Sequence, residues 1–368
     1  MVAFAIVSRF VLTFVGWWVV RWIEPITTSG PAEWDGRGRT LLIWSQWDAY
    51  HYARIALNGY DHPVDPGSPA FFPLYPLIMR FVGAITGLGD TGHELRLTGV
   101  LVAGVFFVVA VYFLVKLFEE HLGTDVARTA SLFLLVSPFS FFLTAGYTES
   151  LFVLLVALTF LLANRRRWTL AAIVVALATA TRVTGVFLIP TLLLLAWTHR
   201  EPLRRLLLIA VISPLGILSY MAYTWRALDD PIAFLTAQQG WGGFQDRTWI
   251  YVQGFVDNPL RWITGDHGNT IMLFNAALFF GCVLALIPMV RRVPLGITVF
   301  SALVILQTVV SIQSMGRYLL PAIGVYMVLA ILVHQSRFQT FWRDIVVVPS
   351  SFLLTTLFLL YAEALWIV

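Results

Sequence analysis

The sequence predicts an all-α membrane protein that crosses the bilayer about ten or eleven times, and three observations carry that expectation. Of its 368 residues, 59% are hydrophobic and only 12% are charged, against roughly 25% charged in an average globular domain. Mean hydropathy is +0.81, too high for a chain that meets water on all sides. Apolar runs recur along the whole length between short polar turns. A span needs about 20 apolar residues, fewer where a broken helix is packed inside protein.

Taken in order, the first run is 3–23. Arg9 lies within it rather than before it, and no small-x-small cleavage site follows, so it reads as a retained first helix rather than a signal peptide. Residues 24–95 then form a long loop. Spans follow at 96–117, 127–144, 150–164, 168–181, 184–198 and 203–224. A second large loop, 225–268, precedes the spans 269–289, 294–312, 318–334 and 345–366. Residues 70–88 are also apolar, but Pro73, Pro76 and Arg80 favour an interfacial or re-entrant stretch. No internal repeat is visible, so residues 1–368 read as a single transmembrane domain, and the paired halves of many secondary transporters are missing.

Orientation follows from arginines in short loops. Arg165–Arg167, Arg200 with Arg204 and Arg205, Arg291 with Arg292, and Arg337 with Arg343 all fall on one side if the spans alternate, which places the N-terminus in the cytoplasm. Counting 70–88 as a full span would put Arg165–Arg167 outside. The long loops and the turns near 145–149, Arg182 and 313–317 then lie on the extracytoplasmic face, together with Asp48, His51, Glu149, Arg182, Asp229, Asp230, Gln238, Gln239 and Arg317. A transporter or flippase of lipid-linked sugars or anionic solutes would instead need polar groups along a path to both faces. The expected chemistry is one-sided.

Composition excludes other classes. The 23 arginines and one lysine, Lys116, give a net charge of +4 but form no stripe of the kind a nucleic acid needs. The single cysteine, Cys282, rules out an intrachain disulfide, and no cluster of His and Cys suggests a metal.

Five segments could carry chemistry. In Trp44–Ala56, helical spacing puts Trp44, Asp48, His51, Tyr52 and Ile55 on one face. An interfacial anchor accounts for the aromatic residues but does not call for an acid, which is costly at the membrane. His51 is placed to orient that acid, contact substrate or cap a polar pocket. Ala70–Pro76 reads as a rigid, proline-broken turn. Ser137–Ser150 brings Tyr147 and Glu149 between two apolar spans; Glu149 is either functional or the structural partner of Arg182. Ala178–Arg182 and Ser314–Tyr318 each end a helix with one arginine beside small residues. A guanidinium matches phosphate oxygens bidentately, which suits an anionic lipid headgroup, although snorkelling to ordinary phospholipid is the competing use. Arg317, hemmed in by two spans and Gly316, favours substrate. In Leu228–Trp241 the adjacent acids Asp229 and Asp230 resemble a metal or sugar-phosphate site, but Asp230-Pro231 reads first as a helix cap. Gln238 and Trp241 are side chains suited to sugar.

In order, WDAYHYARIALNGY (47–60), AFFPLYP (70–76), SPFSFFLTAGYTESLF (137–152), ATATRVTG (178–185), DDPIAFLTAQQGW (229–241) and GRYLLP (316–321) resemble the PIG-V-type mannosyltransferases and their prokaryotic relatives. That family adds the second mannose to GPI anchors and lies within the GT-C glycosyltransferases. The chain departs from the family pattern at Asp229, where Gly-Asp-Pro is usual. The resemblance implies a GT-C fold, a polyprenyl-phosphate sugar donor, usually mannose, and transfer to a lipid or glycan acceptor on the outer face. The arginine-rich, lysine-poor composition is that of a bacterial plasma-membrane protein, for which GPI is not the expected acceptor. The resemblance also makes Asp48 the essential acid of the first outer loop, here expected to be a general base, with inversion at the sugar carbon. Arg317 then stabilises the leaving lipid phosphate, seconded by Arg182, while His51, Tyr52, Tyr147, Glu149, Gln238 and Tyr318 line the pocket. This scheme calls for no metal or other cofactor, and Asp229 with Asp230 leaves a divalent ion open.

Overall fold

A computed structural model describes residues 1–22, 42–60, 65–239, 253–254, 256–259, 267–310 and 314–363. Among them the secondary structure is helical, without a strand. Helix α1 is Val2–Trp22. The first loop carries α2 (Asp48–Asn58) and α3 (Leu74–Thr86), and α4 (Gly92–Leu122) is the longest helix described. Then come α5 (Thr124–Val136), α6 (Glu149–Asn164), α7 (Trp168–Thr179) and α8 (Leu188–Thr198). Helices α9 (Leu203–Ile212), α10 (Leu215–Leu228) and α11 (Ala233–Gln239) follow. The rest are α12 (His267–Arg292), α13 (Leu295–Gln307), the single turn α14 (Met315–Tyr318), α15 (Ile323–Gln335) and α16 (Gln339–Ala362).

Helix α4 is the centre of the bundle: α1, α2, α3, α5 and α6 all pack on it. It starts from a capping box, in which Thr91 Oγ1 accepts the Glu94 N–H at 3.2 Å and the Glu94 carboxylate accepts the Thr91 N–H at 3.0 Å. Helix α1 turns Phe10, Phe14, Trp18 and Trp22 outward, a stripe for lipid rather than water.

Five helical segments are long and apolar enough to cross a bilayer, among them Val2–Trp22, Gly92–Leu122 and Gln339–Ala362. Six others run to 10–17 residues; at 1.5 Å per residue these reach at most about 26 Å, short of a ~30 Å hydrocarbon core. None of these is long enough to cross alone, and two expected spans prove to be broken. The run 127–144 ends as a helix at Val136, because Ser137 turns extended (ψ 137°) ahead of Pro138, and a short 3₁₀ turn, Ser140–Leu143, completes it. Backbone carbonyls freed by this break are collected by Arg9 of α1. Its guanidinium donates to Ser140 O at 3.0 Å, to Ser140 Oγ at 3.1 Å and to Thr144 Oγ1 at 3.1 Å, and lies 4.9 Å from the Phe107 ring centre. The run 203–224 is interrupted at Ser213-Pro214. The final span begins at Gln339 rather than 345. The stretch 70–88 forms α3, which packs on α2 and α4.

Helices α6 and α7 are joined by the tight turn Arg165–Arg167. The start of α6 and the end of α7 therefore meet at the opposite end of the bundle, where the candidate site residues gather.

Candidate active site

The loop leading into α2 is fixed before it presents its acid. Leu42–Gln46 are buried, and the Gly146 N–H donates to Trp44 O at 2.9 Å. Arg96, buried on α4, donates through Nε to Ser45 Oγ at 3.1 Å and through Nη2 to the Ser45 carbonyl. Trp47 has φ 52° and ψ −115°. A bulky side chain rarely adopts a positive φ, and such strain, roughly 1–3 kcal/mol, persists only where the surroundings over-determine it. Helix α2 thus begins at Asp48 rather than at Trp44, and Trp44 stacks on Phe358 of α16 with ring centres 4.2 Å apart.

Asp48 is paired. Its Oδ2 accepts from Arg317 Nη1 at 2.5 Å. The Arg317 Nε lies 3.4 Å from Glu149 Oε1, and that same oxygen accepts from Arg182 Nη1 at 2.5 Å. Two carboxylates and two guanidinium groups form one chain of ion pairs, with zero net charge. The ring of Tyr318 sits between the cations, its centre 5.2 Å from Arg182 Cζ and 5.1 Å from Arg317 Cζ. Burial opposes charge on both arginines, but Glu149 beside Arg182 and Asp48 beside Arg317 outweigh it, so both stay above the ordinary arginine range.

Exposure is graded across the cluster: the side chains of Glu149, Arg317, Arg182 and Asp48 are 1%, 7%, 12% and 29% exposed. Glu149 is the buried counter-ion, and Asp48 stands at the mouth. Arg317 can sit so deep because Gly316 lies flat against Phe139; a Cβ there would come within 2.1 Å of that ring. The residue that starts α14, Ser314, is left-handed with φ 57°.

Tyr52 is buried, edge-on to Phe71 and Tyr75, with its hydroxyl 3.4 Å from Thr148 Oγ1. Tyr147 is also buried, and its hydroxyl is committed to backbone: it donates to Gln46 O at 2.9 Å and accepts the Asp48 N–H at 3.2 Å. His51 Nδ1 meets Asp65 Oδ2 at 2.7 Å while its ring stacks on Phe71 at 4.7 Å. The Ala70–Pro76 turn serves as a platform for α2. Its Phe72 packs against Tyr220 of α10 and Phe234 of α11, and the Leu74 N–H donates to Ala180 O at 3.1 Å.

Asp230 is a cap: Oδ1 accepts the Ile232 N–H at 2.9 Å and Oδ2 accepts Thr236 Oγ1 at 2.8 Å. Asp229 is an exposed, left-handed C-cap of α10. Gln238 and Gln239 are exposed on α11, and no hydrogen bond ties Gln238 to the charged cluster among the described residues. Trp241 lies outside them. Among the described residues no three His, Cys, Asp or Glu side chains come together as a metal site. Sequence reasoning missed Asp65, Arg96 and Tyr361. An arginine at the start of an apolar span is the signal that marks Arg96; Asp65, in a proline-rich turn, and Tyr361, in an apolar run, offer none.

The fold resembles the GT-C oligosaccharyltransferase fold. It superposes on the apo oligosaccharyltransferase of Archaeoglobus fulgidus with a TM-score of 0.51, over 98% of this chain and 56% of that one at 14% identity. The same enzyme tethered to an acceptor peptide gives 0.50 over 98% and 55% at 13% identity. At that identity the likeness bears on the fold alone.

In sequence, residues 24–199 match the family model described as mannosyltransferase (PIG-V). Relatives include GPI mannosyltransferase 2 of Cryptococcus neoformans, 34% identical over 152 residues (39% of this chain, 34% of the relative), and that of Schizosaccharomyces pombe, 30% identical over 154 residues (40% and 31%). Human GPI alpha-1,6-mannosyltransferase 2 is 28% identical over 232 residues, 54% of this chain and 45% of that one. The matched stretches span less than half of each relative's own length.

Proposed function

We propose that this protein is an inverting glycosyltransferase that moves mannose from a polyprenyl-phosphate donor to a lipid or glycan acceptor at the extracytoplasmic membrane face. The observation that carries the reading is the 2.5 Å contact of Asp48 with Arg317 at the open edge of a buried four-charge cluster. Because the cluster is neutral, a donor phosphodiester enters by competing for a guanidinium already held by a carboxylate. Asp48, the most exposed member, is the one able to yield. Arg317, with Arg182 behind it, then holds the phosphate oxygens, a bidentate match. The freed Asp48 carboxylate takes the proton of the acceptor hydroxyl as its oxygen bonds to the anomeric carbon. The bond from that carbon to the phosphate oxygen breaks, and the lipid monophosphate leaves with the electron pair. One base and no covalent partner give inversion. The leaving group is stable as an anion, so it needs positive charge rather than an acid. The match of residues 24–199 to a mannosyltransferase family model supports mannose, and the arginine-rich inner turns support the sidedness.

The test is donor choice. Purified protein in lipid nanodiscs is given polyprenyl-phosphate-[³H]mannose or nucleotide-linked [³H]mannose together with a lipid extract as acceptor. Label is expected to move from the lipid-linked donor only. Consumption of the nucleotide sugar alone, or flux of a solute with no transfer from either, would overturn the reading.

A further inference from the structure

Trp47, next to the acid, carries the backbone strain, and two tyrosine hydroxyls bracket it. Tyr147 binds the peptide groups on both sides, Gln46 O and the Asp48 N–H. Tyr361, fully buried near the end of α16, accepts the Gln46 N–H at 3.0 Å and directs its own proton towards the carbonyls of Trp44 (3.3 Å) and Gln46 (3.4 Å). The two rings meet edge to face, centres 6.3 Å apart. Neither phenol is exposed, so neither is placed to touch substrate. What they hold is the direction in which Asp48 leaves the loop.

We infer that Tyr361, with Tyr147, is a positioning residue for Asp48: the last described helix clamps the strained Trp47 peptide and so aims the base. This rests on reading Asp48 as the base. A misplacement of a reacting group by about 1 Å can cost about 10²-fold in rate, whereas donor binding, carried by the arginines, is untouched.

The experiment compares wild type, Tyr361→Phe, Asp48→Asn and the double variant with polyprenyl-phosphate-[³H]mannose, using long incubations to reach residual rates, and melts each protein in parallel. Tyr361→Phe is expected to lower kcat about 10- to 100-fold with donor KM within about twofold. Added to Asp48→Asn it is expected to cost nothing more, because a residue acting through the base has no effect once the base is gone. The same loss in both backgrounds, a parallel rise in KM, or full kcat in Tyr361→Phe overturns the inference while Asp48 as base survives. Normal turnover by Asp48→Asn removes the base and the inference together. Tyr147→Phe, which cuts the other half of the bracket, is read by the same criteria should Tyr361→Phe fold poorly.

Discussion

Glu149→Gln preserves shape and removes one charge from the most buried position of the cluster. Glu149 is 1% exposed and its Oε1 contacts both arginines, at 2.5 Å and 3.4 Å. Arg317 keeps Asp48, but Arg182, 12% exposed, loses its carboxylate partner and keeps neutral ones: the substituted amide oxygen, the Thr148 hydroxyl at 3.3 Å and the Tyr318 ring. At an effective dielectric of about 20, a unit pair 4 Å apart is worth ~4 kcal/mol, and breaking one partner of a buried pair typically costs about 3–5 kcal/mol. For a large chain each kcal/mol moves the melting temperature by about 2 °C, so Glu149→Gln is expected to melt roughly 6–10 °C below wild type. The assay is a thermal melt in nanodiscs. Glu149→Gln combined with Arg182→Gln leaves no unpaired cation and is expected to recover about 1–3 kcal/mol of that loss. A Glu149→Gln melt within one or two degrees of wild type (about 1 kcal/mol), or a double variant whose losses simply add, would refute the view that this cluster is a mutually neutralising unit.

Two further outcomes follow from the same structure. Arg9→Leu leaves the carbonyl of Ser140, where α5 breaks, without its donor; an unpaired buried polar group costs about 1–3 kcal/mol, so a melt lowered by roughly 2–6 °C is expected, while an unchanged melt would show that the break is held by other contacts. Gly316→Ala would drive a Cβ into the Phe139 ring, at a cost of about 1–3 kcal/mol; because α14 carries Arg317, donor KM is expected to rise, and an unaltered KM would mean that α14 does not set the arginine's position.

Much of the architecture was legible because hydropathy reports burial in lipid, and each long helix coincides with an apolar run. The breaks at Pro138 and Pro214 were not read, although both prolines were in view, because apolar composition continues through them. Asp48, Glu149, Arg182 and Arg317 stood out as ionisable groups beside apolar spans, and the pairing of Arg182 with Glu149 was one of two readings left open. Their union could not be read from one chain: Asp48 and Arg317 are 269 positions apart. Helical periodicity alone extends α2 back to Trp44, whereas the positive φ of Trp47 starts the helix at Asp48. Asp65 went unnoticed because a proline-rich turn gives no periodic pattern to set it in.

Asp48 is the proposed base. Asp48→Asn keeps size and hydrogen bonding to Arg317 but cannot accept a proton, and general-base catalysis is worth about 10²–10⁴ in rate. With polyprenyl-phosphate-[³H]mannose and a membrane-lipid acceptor extract, Asp48→Asn is expected to bind donor and to lose about 10²-fold or more in transfer. Transfer by Asp48→Asn at the wild-type rate would contradict the account.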